Sequence, residues 1–402
     1  MKAGWQVKKL GEIYDVRDGT HDSPKYHPTG YPLITSKNLK REGLCFENVQ
    51  FISEGDYKKV NARSAVHKGD VLFAMIGTIG NPTEVKIEPN FAIKNVALFK
   101  IPSEQSGSFL KHYLDSEEVI SKMIKEARGT TQKFVGLGYL RDFPIKIPHL
   151  LEQQRIVAIL DQVFEGIAKA RANAQQNLQN ARALFESHLQ SVFSQRGEGW
   201  MKNKLGSLTT KIGSGATPRG GGESYKAEGI SLVRSLNVHD FGFKYAKLAF
   251  LDDAQAKELS NVELKSNDVL LNITGASVAR CCIVPESVLP ARVNQHVSII
   301  RPIFEKLDSS FLHYLLLSKP YKDKLLQTGS EGGSTRQAIT KAQIQEFLIE
   351  YPPAIEDQKA IAHKLNEMLK ETQRLETLYQ RKIVLLDELK KSLLQQAFAG
   401  EL

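Results

Sequence analysis

Residue types capable of catalysis occur in this chain, but they do not form a recognisable catalytic or metal-binding motif. A G-x-x-x-x-G-K-[ST] phosphate-binding loop, an H-E-x-x-H helix and a paired C-x-x-C are all missing from the sequence. The ten histidines are scattered. The three cysteines, Cys45, Cys281 and Cys282, are too few for a disulfide framework and lack the spacing of metal ligands. The sequence therefore predicts no catalytic site, no metal site and no cofactor in this chain.

Side chains suited to contacting DNA lie on predicted loops, at corresponding places in two halves of the chain. Such contacts require polar and basic groups that reach base edges and phosphates. In the first half the candidates are Arg17, Thr20, His21, Lys25, Lys37, Asn38, Thr130, Gln132 and Lys133. In the second half they are Thr217, Arg219, Arg234, Asn237, Thr335, Arg336 and Gln337. Any one of them is equally well explained as a solvated loop residue, so the prediction of two DNA-reading surfaces depends on the duplicated placement.

The net charge of +9 is concentrated in two stretches. Residues 1–151 carry +5 and residues 197–355 carry +3, whereas residues 152–196 carry +1 and residues 356–402 carry 0. A basic domain can meet the phosphates of nucleic acid. The charge therefore supports the two candidate surfaces without establishing them.

The sequence also indicates where the protein works. No apolar run approaches the roughly 18 residues that a membrane-spanning helix needs. The first ten residues, MKAGWQVKKL, lack the apolar core of a signal peptide. We therefore expect a cytoplasmic protein that does not associate with membranes.

The same succession of motifs occurs twice along the chain. Each copy opens with a tryptophan, Trp5 or Trp200, followed by a Leu-Gly pair and a glycine-rich turn. The later segment KGDVLFAMIG corresponds to SNDVLLNITG, which aligns Asp70 with Asp268. Short alternating apolar segments bounded by Gly, Pro and Asn predict strands, and helical stretches at 109–126 and 311–327 come late in each copy. The sequence thus predicts one α+β module used twice.

Each copy is followed by a long amphipathic stretch without proline, at residues 152–195 and 356–399. Apolar residues recur there in steps of four and three, which is the pattern of a coiled-coil seam. In the first stretch the seam comprises Ile156, Leu160, Val163, Ile167, Leu178, Phe185 and Leu189, with a shift of four residues after Ala174. In the second it comprises Ile361, Leu365, Met368, Leu375, Leu386, Leu389 and Leu393, in unbroken heptads. Equal length and matching seams predict that the two helices pack together.

Connectivity predicts that these helices run antiparallel. The first leaves the first lobe and ends at the second lobe, so the second helix must run back to bury its apolar stripe on the first. The predicted architecture is α+β, with two pseudo-repeated domains separated by two long helices that form an antiparallel coiled coil. The predicted boundaries are residues 1–151 for the first domain, 152–196 for the central helix, 197–355 for the second domain and 356–402 for the C-terminal helix.

The doubled motif order resembles the DNA-specificity subunit of type I restriction-modification systems. The resemblance is carried by EQQRIVAILD from Glu152, by its counterpart IEDQKAIAHKLN from Ile355 and by the ending LLQQAFAGEL. It covers essentially the whole chain, and its specificity comes from the repeated order of individually weak motifs. The lobes themselves depart from any fixed pattern, so the candidate DNA contacts are placed by loop position.

The resemblance implies a non-catalytic subunit that binds double-stranded DNA. Each lobe would be a target-recognition domain that reads one half of a bipartite sequence, while the helix pair fixes the spacing and docks partner subunits. The implied partners are two methyltransferase subunits, which use S-adenosylmethionine, and two restriction subunits, which use ATP and Mg²⁺. This chain would hold none of these cofactors.

Two other functions compete with this interpretation. A stand-alone methyltransferase or nuclease would need a cofactor pocket for which the sequence shows no motif. A coiled-coil scaffold with two protein-binding heads would share the repeat and the helices but would show no salt-sensitive DNA affinity.

Overall fold

A computed structural model describes residues 4–40, 43–195, 197–330 and 338–402. The chain forms two structural units, one made of Met1–Gln175 with Gln380–Leu402 and the other of Gln176–Tyr379. Each unit therefore contains one lobe together with half of each long helix. The predicted domain boundaries treat the helices as separate segments, whereas the contacts divide each helix near its middle.

The first lobe is built from eleven strands and five short helices in its described residues. The strands are β1 (Gln6–Lys9), β2 (Asp15–Asp18), β3 (Tyr31–Ile34), β4 (Leu39–Lys40), β5 (Gly43–Leu44), β6 (Gln50–Ile52), β7 (Val71–Ala74), β8 (Gly80–Glu84), β9 (Ala92–Ile93), β10 (Val96–Lys100) and β11 (Pro144–Ile147). The helices are α1 (Leu10–Ile13), α2 (Glu54–Ser64), α3 (Gly107–Leu114), α4 (Glu117–Glu126) and α5 (Leu137–Asp142). The strands form sheets of order β2-β10-β7-β8, β6-β3-β9, β4-β5 and β1-β11.

The second lobe repeats this arrangement after the first long helix, α6 (Leu150–Ser194). Its strands are β12 (Met201–Lys204), β13 (Thr209–Ser214), β14 (Ile230–Val233), β15 (Val238–His239), β16 (Gly242–Phe243), β17 (Ala249–Leu251), β18 (Val269–Asn272), β19 (Cys281–Ile283), β20 (Ala291–Val293), β21 (Val297–Pro302) and β22 (Leu348–Tyr351). Its helices are α7 (Asp253–Glu258), α8 (Ser309–Leu317), α9 (Lys319–Ser330) and α10 (Lys341–Glu346), and α11 (Ile355–Ala399) follows. The sheets have the orders β13-β21-β18-β19, β17-β14-β20, β15-β16 and β12-β22, so each sheet of the first lobe has a counterpart.

The central four-stranded sheet of each lobe is buried on both faces. In β7, Val71 and Phe73 belong to one apolar cluster with the helices, while Leu72 and Ala74 belong to another beneath β3. The same division occurs in β18, where Val269 and Leu270 enter different clusters. Because successive side chains of a strand point to opposite faces, a continuous apolar run is what a sheet covered on both sides requires.

A close approach of two strands explains one matched pair of glycines. Gly30 and Gly229 precede β3 and β14, and their φ angles are +139° and +132°. A Cβ at either position would lie 2.4 Å from a carbonyl oxygen, that of Ile52 or of Leu251. Only glycine fits this conformation and this space, so the turn is specified in the same way in both lobes.

The late helical stretch of each lobe is two helices, where the sequence predicts one. α3 ends before Ser116, and α8 ends before Ser318. Each of these buried serines has an extended backbone and donates its hydroxyl to the carbonyl three residues earlier, that of Tyr113 at 2.7 Å or Leu315 at 2.6 Å. This local hydrogen bond competes with the helical one, which explains the break.

A buried glutamine attaches each long helix to its lobe. Gln153 of α6 accepts a hydrogen bond from the Ser106 N–H at 3.0 Å and donates to the Pro148 carbonyl at 2.8 Å. Gln358 of α11 makes the equivalent bonds with Asp308 at 2.9 Å and Pro352 at 2.9 Å. Both side chains are fully buried. Gln153 is the middle residue of EQQ and Gln358 is the last residue of EDQ, so the motifs that carry the family resemblance have a structural role.

The predicted antiparallel pairing of the long helices is confirmed within each unit. In the first unit, Ile156 and Leu160 near the start of α6 share a core with Leu394 and Phe398 near the end of α11. Farther along these halves, Arg171 forms an ion pair with Asp387 at 3.3 Å.

In the second unit, Phe185 and Leu189 near the end of α6 share a core with Leu365 near the start of α11. Arg182 pairs there with Glu376 at 2.6 Å. The two helix halves of this unit therefore also run in opposite directions.

One predicted seam residue, Leu389, lies outside the buried stripe of α11. Leu389 of α11 is 46 % exposed, and Lys382, which continues the predicted unbroken heptads, is also exposed. The half-buried position after Tyr379 is Ile383, and the buried positions that follow are Leu394, Ala397 and Phe398. The stripe therefore advances by an extra residue after Tyr379, because a straight helix has 3.6 residues per turn and drifts from a heptad repeat.

The remaining predicted seam residues are buried or half-buried. Those that are buried are Ile156, Leu160, Ile167, Phe185, Leu189 and Leu365. Those that are half-buried are Val163, Leu178, Ile361, Met368, Leu375, Leu386 and Leu393.

Candidate nucleic-acid interface

An open groove in the first lobe gathers several of the predicted DNA-contacting residues. Its volume is about 590 Å³, and its lining includes Tyr26, Lys37, Lys40, Glu47, Gln50 and Gln132. We call it the Tyr26 groove. Lys37 comes from the 3₁₀ turn after β3, Glu47 and Gln50 come from the segment leading into β6, and Gln132 comes from the loop before α5. The fold thus brings together side chains that are up to 106 residues apart in sequence, from Tyr26 to Gln132.

Five exposed candidates of the first lobe are free to meet a ligand. They are Lys25, Lys37, Thr130, Gln132 and Lys133. Only Lys133 among them has an internal hydrogen bond in the described structure, a long one of 3.5 Å to the Ile124 carbonyl. Lys37 and Gln132 line the Tyr26 groove, while Lys25 precedes Tyr26 in sequence.

Other candidates of the first lobe are held by internal bonds. Arg17 donates to the Asp15 carboxylate and to the Arg63 carbonyl, and the hydrogen bond with Asp15 raises the pKa of Arg17 above its ordinary value. The two ring nitrogens of His21 contact Asn95 and Asp18, each at 2.8 Å.

Thr20 also has a local role, since its hydroxyl accepts a hydrogen bond from the Asp22 N–H at 3.1 Å. The contacts of Arg17, Thr20 and His21 fix the segment after β2. Their proposed contacts with DNA stay predictions.

Two predicted DNA contacts are structural instead. Asn38 is 6 % exposed; its Oδ1 accepts from the Thr35 N–H at 2.9 Å, and its Nδ2 donates to the Cys45 carbonyl at 3.1 Å. Asn237 is fully buried and makes the same bonds to Arg234 at 3.1 Å and Lys244 at 2.8 Å. Because each amide is buried and hydrogen-bonded to the backbone at both ends, neither asparagine is exposed to a base edge.

The matched asparagines fix the correspondence between the lobes. Each asparagine donates its side-chain amide to the carbonyl of the residue seven positions later, a contact that we call the asparagine clasp. Residues 26–52 correspond to residues 225–251 at a constant offset of 199. Asn48 and Lys247, which correspond at this offset, both have a positive φ, 55° and 59°. The same turn is therefore built from different surface side chains.

The second lobe differs at the position that corresponds to Thr35. Arg234 stands there, and its guanidinium lies over the Tyr225 ring at 5.1 Å from the centroid. It also donates to the Lys247 carbonyl at 2.5 Å. Tyr225 and Lys247 correspond to Tyr26 and Asn48, which line the groove in the first lobe. Arg234 thus spans the space that is open in the first lobe.

The remaining candidates of the second lobe lie on its glycine-rich loop or outside the described residues. Thr217 donates to Gln295, and Arg219 is exposed next to Gly220, whose φ is +90°. Thr335, Arg336 and Gln337 fall within residues 331–337, which the structure does not describe.

The sequence interpretation missed several groove residues, among them Tyr26, Lys40, Glu47 and Gln50. Tyr26 and Tyr225 occupy the same position in the repeat, four residues before Gly30 and Gly229. This repeated tyrosine is visible in the sequence and could have identified Tyr26. The sequence alone does not indicate Glu47, because a carboxylate is repelled by the phosphates of DNA.

The described residues contain neither a metal-binding cluster nor a membrane-spanning helix. No group of three or more His, Cys, Asp or Glu side chains in them could hold a metal ion. None of the helices formed by these residues has a stretch long and apolar enough to cross a membrane.

The sequence matches a known family model twice. The model of the type I restriction modification DNA specificity domain matches residues 2–177 and 197–385. The chain is 21 % identical over 399 residues to the type I restriction enzyme EcoBI specificity subunit of Escherichia coli, covering 93 % of this chain and 80 % of that one. It is 24 % identical over 400 residues to the MjaVIII specificity subunit of Methanocaldococcus jannaschii, covering 90 % and 86 %.

Two solved structures share the fold. One belongs to a study of complex assembly and conformational transition of the type I R-M system; it gives a TM-score of 0.77 at 20 % identity and covers 100 % of this chain and 99 % of that one. The HsdS subunit from Thermoanaerobacter tengcongensis gives a TM-score of 0.65 at 21 % identity and covers 100 % and 98 %.

Proposed function

Because the chain belongs to the family of type I restriction-modification DNA specificity proteins, we propose that each of its lobes reads one half of a bipartite DNA target. As a specificity subunit, it recognises DNA and is not itself the catalyst. The observation that carries the proposal is the duplicated lobe, which has one topology but different side chains beside the same turn. Two copies of one scaffold with different surfaces suit two different half-sites.

The proposal extends to partners and compartment. The chemistry would be supplied by two methyltransferase subunits, which bind S-adenosylmethionine, and by two restriction subunits, which bind ATP and Mg²⁺. The long helices would fix the spacing between the half-sites and dock the methyltransferase subunits. A subunit of this kind works where the chromosome lies, so we propose the cytoplasm as its compartment.

The contacts proposed for DNA divide by chemistry. Exposed lysines such as Lys25, Lys37 and Lys133 suit phosphates, which supply affinity without sequence information. Gln132 suits the edge of an adenine. In the second lobe, Arg219 is exposed on the glycine-rich loop and suits a phosphate or a guanine.

Co-expression with the methyltransferase subunit of the same system, followed by genome-wide mapping of methylated adenines, tests the function directly. We expect a motif with two specified halves and a gap, present only when this chain is expressed. A continuous motif, or methylation that does not require the chain, would refute the proposal. If the assembled complex did not bind DNA, or bound it with an affinity that does not depend on salt concentration, a protein-binding scaffold would be favoured instead.

The role of the helices can be tested separately. Insertion of seven residues near the middle of α6 and seven near the middle of α11 lengthens both helices by about 10 Å, the length of about three base pairs. We expect the gap in the methylated motif to grow by about three base pairs while both half-sites stay the same. The control inserts seven residues in α6 alone. If the half-site sequences changed with helix length, the proposal that the lobes read the bases and the helices set the spacing would be contradicted.

A further inference from the structure

A carboxylate lies among the basic side chains of the Tyr26 groove. Glu47 lines this groove together with Lys37, Lys40 and Lys94. Its side chain is exposed, and within the described residues it takes part in no hydrogen bond or ion pair. Lys94, by contrast, donates to Ser23 at 2.5 Å. Glu47 is therefore a hydrogen-bond acceptor at the surface with its capacity unused.

The chemistry of DNA restricts what such a carboxylate can contact. An ionised carboxylate only accepts hydrogen bonds, and it is repelled by phosphate groups. In the major groove, the donors are the exocyclic amino groups of cytosine and adenine. A glutamate within a DNA-binding surface is thus useful only where it faces a base edge, and the neighbouring lysines offset its repulsion from the backbone.

The backbone around Glu47 is held in place on both sides. Two residues before it, Cys45 donates its N–H to the Asn38 carbonyl at 2.8 Å and accepts from the Asn38 side chain. Phe46 packs edge-on against Phe91, with ring centroids 6.0 Å apart. Gln50 then enters β6, where it pairs with Leu33 of β3. A side chain on such a segment is presented with little freedom, as discrimination between bases requires.

The second lobe lacks this carboxylate. At the constant offset of 199, Glu47 corresponds to Ala246, which is also exposed. The turn that carries both residues is the same, with its asparagine clasp and its positive φ. The two lobes therefore share the geometry of this turn but differ in the side chain that it exposes. Such a difference is expected at a position that distinguishes two half-sites.

We propose that Glu47 reads a base of the first half-site by accepting a hydrogen bond from the exocyclic amino group of a cytosine or an adenine. This inference rests on the proposed DNA-reading function and adds a residue that determines its specificity. The base that Glu47 contacts is specified through its amino group, so cytosine and adenine are the two bases that fit.

Glu47→Ala and Glu47→Gln test this assignment in the complete methyltransferase complex. Methylated motifs are mapped for each variant, and binding of the purified complex is measured on duplexes that differ by one base pair. With Glu47→Ala we expect one base pair of one half-site to become degenerate, with discrimination there reduced by between about five-fold and about 150-fold. With Glu47→Gln, whose amide can also donate, we expect bases with a carbonyl at that edge to be accepted as well.

Glu88→Ala is the matched control, because Glu88 is an exposed acid of the same lobe that does not line the groove. It should leave both half-sites unchanged. The half-site that does not respond to Glu47 serves as an internal control for folding and assembly in every variant.

Three results would overturn the inference while leaving the function intact. Both half-sites could remain fully specified in the Glu47 variants. Alternatively, Glu47→Ala could tighten binding to all duplexes equally, which would mean that the carboxylate faces phosphates. Loss of discrimination in both half-sites would also contradict it, because Glu47 belongs to one lobe only. A motif that does not depend on this chain at all would instead refute the proposed function.

Discussion

In the first lobe, Thr35 and Tyr26 line an open groove, whereas in the second lobe the residue corresponding to Thr35 is Arg234, which extends over Tyr225. The scaffold beneath is the same, down to the asparagine that clasps the turn. The exposed side chains of the turn differ between the lobes; Lys37 and Glu47 correspond to Leu236 and Ala246. The comparison shows that internal hydrogen bonds fix the fold while the outward positions are free to encode a target.

The largest expected effect concerns the shared scaffold. Asp268 is fully buried and accepts two hydrogen bonds of 2.7 Å from the Arg301 guanidinium, which raises the pKa of Arg301 above its ordinary value. Asp70 occupies the same position in the first lobe but pairs with a single ammonium, that of Lys100. Asp268→Ala should lower the free energy of unfolding of its unit by about 3–5 kcal/mol, because the Arg301 guanidinium, whose side chain is only 20 % exposed, loses both hydrogen bonds to a carboxylate. Asp70→Ala should cost about 1.5–3 kcal/mol, since a flexible lysine can turn to solvent.

The two tryptophans allow this to be measured lobe by lobe. Trp5 packs in the core of the first lobe and Trp200 against that of the second. Urea unfolding followed by fluorescence in Trp5→Phe and Trp200→Phe backgrounds would report one lobe at a time. Equal losses for the two aspartate variants would contradict the distinction between a bidentate and a single contact.

An exchange at the groove should have the next largest effect. Thr35→Arg places in the first lobe the side chain that spans the equivalent space in the second. We expect it to weaken recognition of one half-site by about 1–3 kcal/mol, through loss of base contacts, while the other half-site keeps its specificity. Arg234→Thr should alter the other half-site, because the guanidinium no longer covers Tyr225.

Motif mapping of both variants provides the measurement, and the unaltered half-site of each variant is the control for the other. If Thr35→Arg and Arg234→Thr changed the same half-site, the assignment of one half-site to each lobe would be wrong. If neither changed any half-site, the groove and its covered counterpart would lie away from the bases.

The repeat, the antiparallel helices and the α+β class could be predicted from the sequence because they follow from periodicity and order. Heptad spacing identifies a seam such as Ile156 to Leu189, and repeated landmarks such as Gly30 and Gly229 require no knowledge of packing. Leu389 shows where this reasoning fails. The exposure of a seam residue depends on small drifts in helix phase that a heptad count does not include.

The candidate site was harder to predict, because the same residue type serves different purposes on similar loops. Asn38 and Lys37 are adjacent, yet Asn38 is buried with both ends of its amide bonded and Lys37 is exposed in the groove. Only the three-dimensional turn decides between them. Glu47 was missed for a chemical reason, since a carboxylate becomes plausible as a DNA contact only when the basic residues around it are known.

The smallest expected effect separates affinity from specificity at another matched position. Lys37 is exposed in the first lobe, and its counterpart Leu236 is 39 % exposed. If Lys37 contacts a phosphate, Lys37→Ala should weaken binding to all duplexes alike and reduce the slope of log K against log salt concentration by about 0.9. Leu236→Ala should leave that slope unchanged, because no counterion is released by an apolar side chain. Titrations of the assembled complex at several salt concentrations measure both slopes. Degeneracy at one base position in Lys37→Ala, with an unchanged slope, would place Lys37 at a base edge beside Glu47.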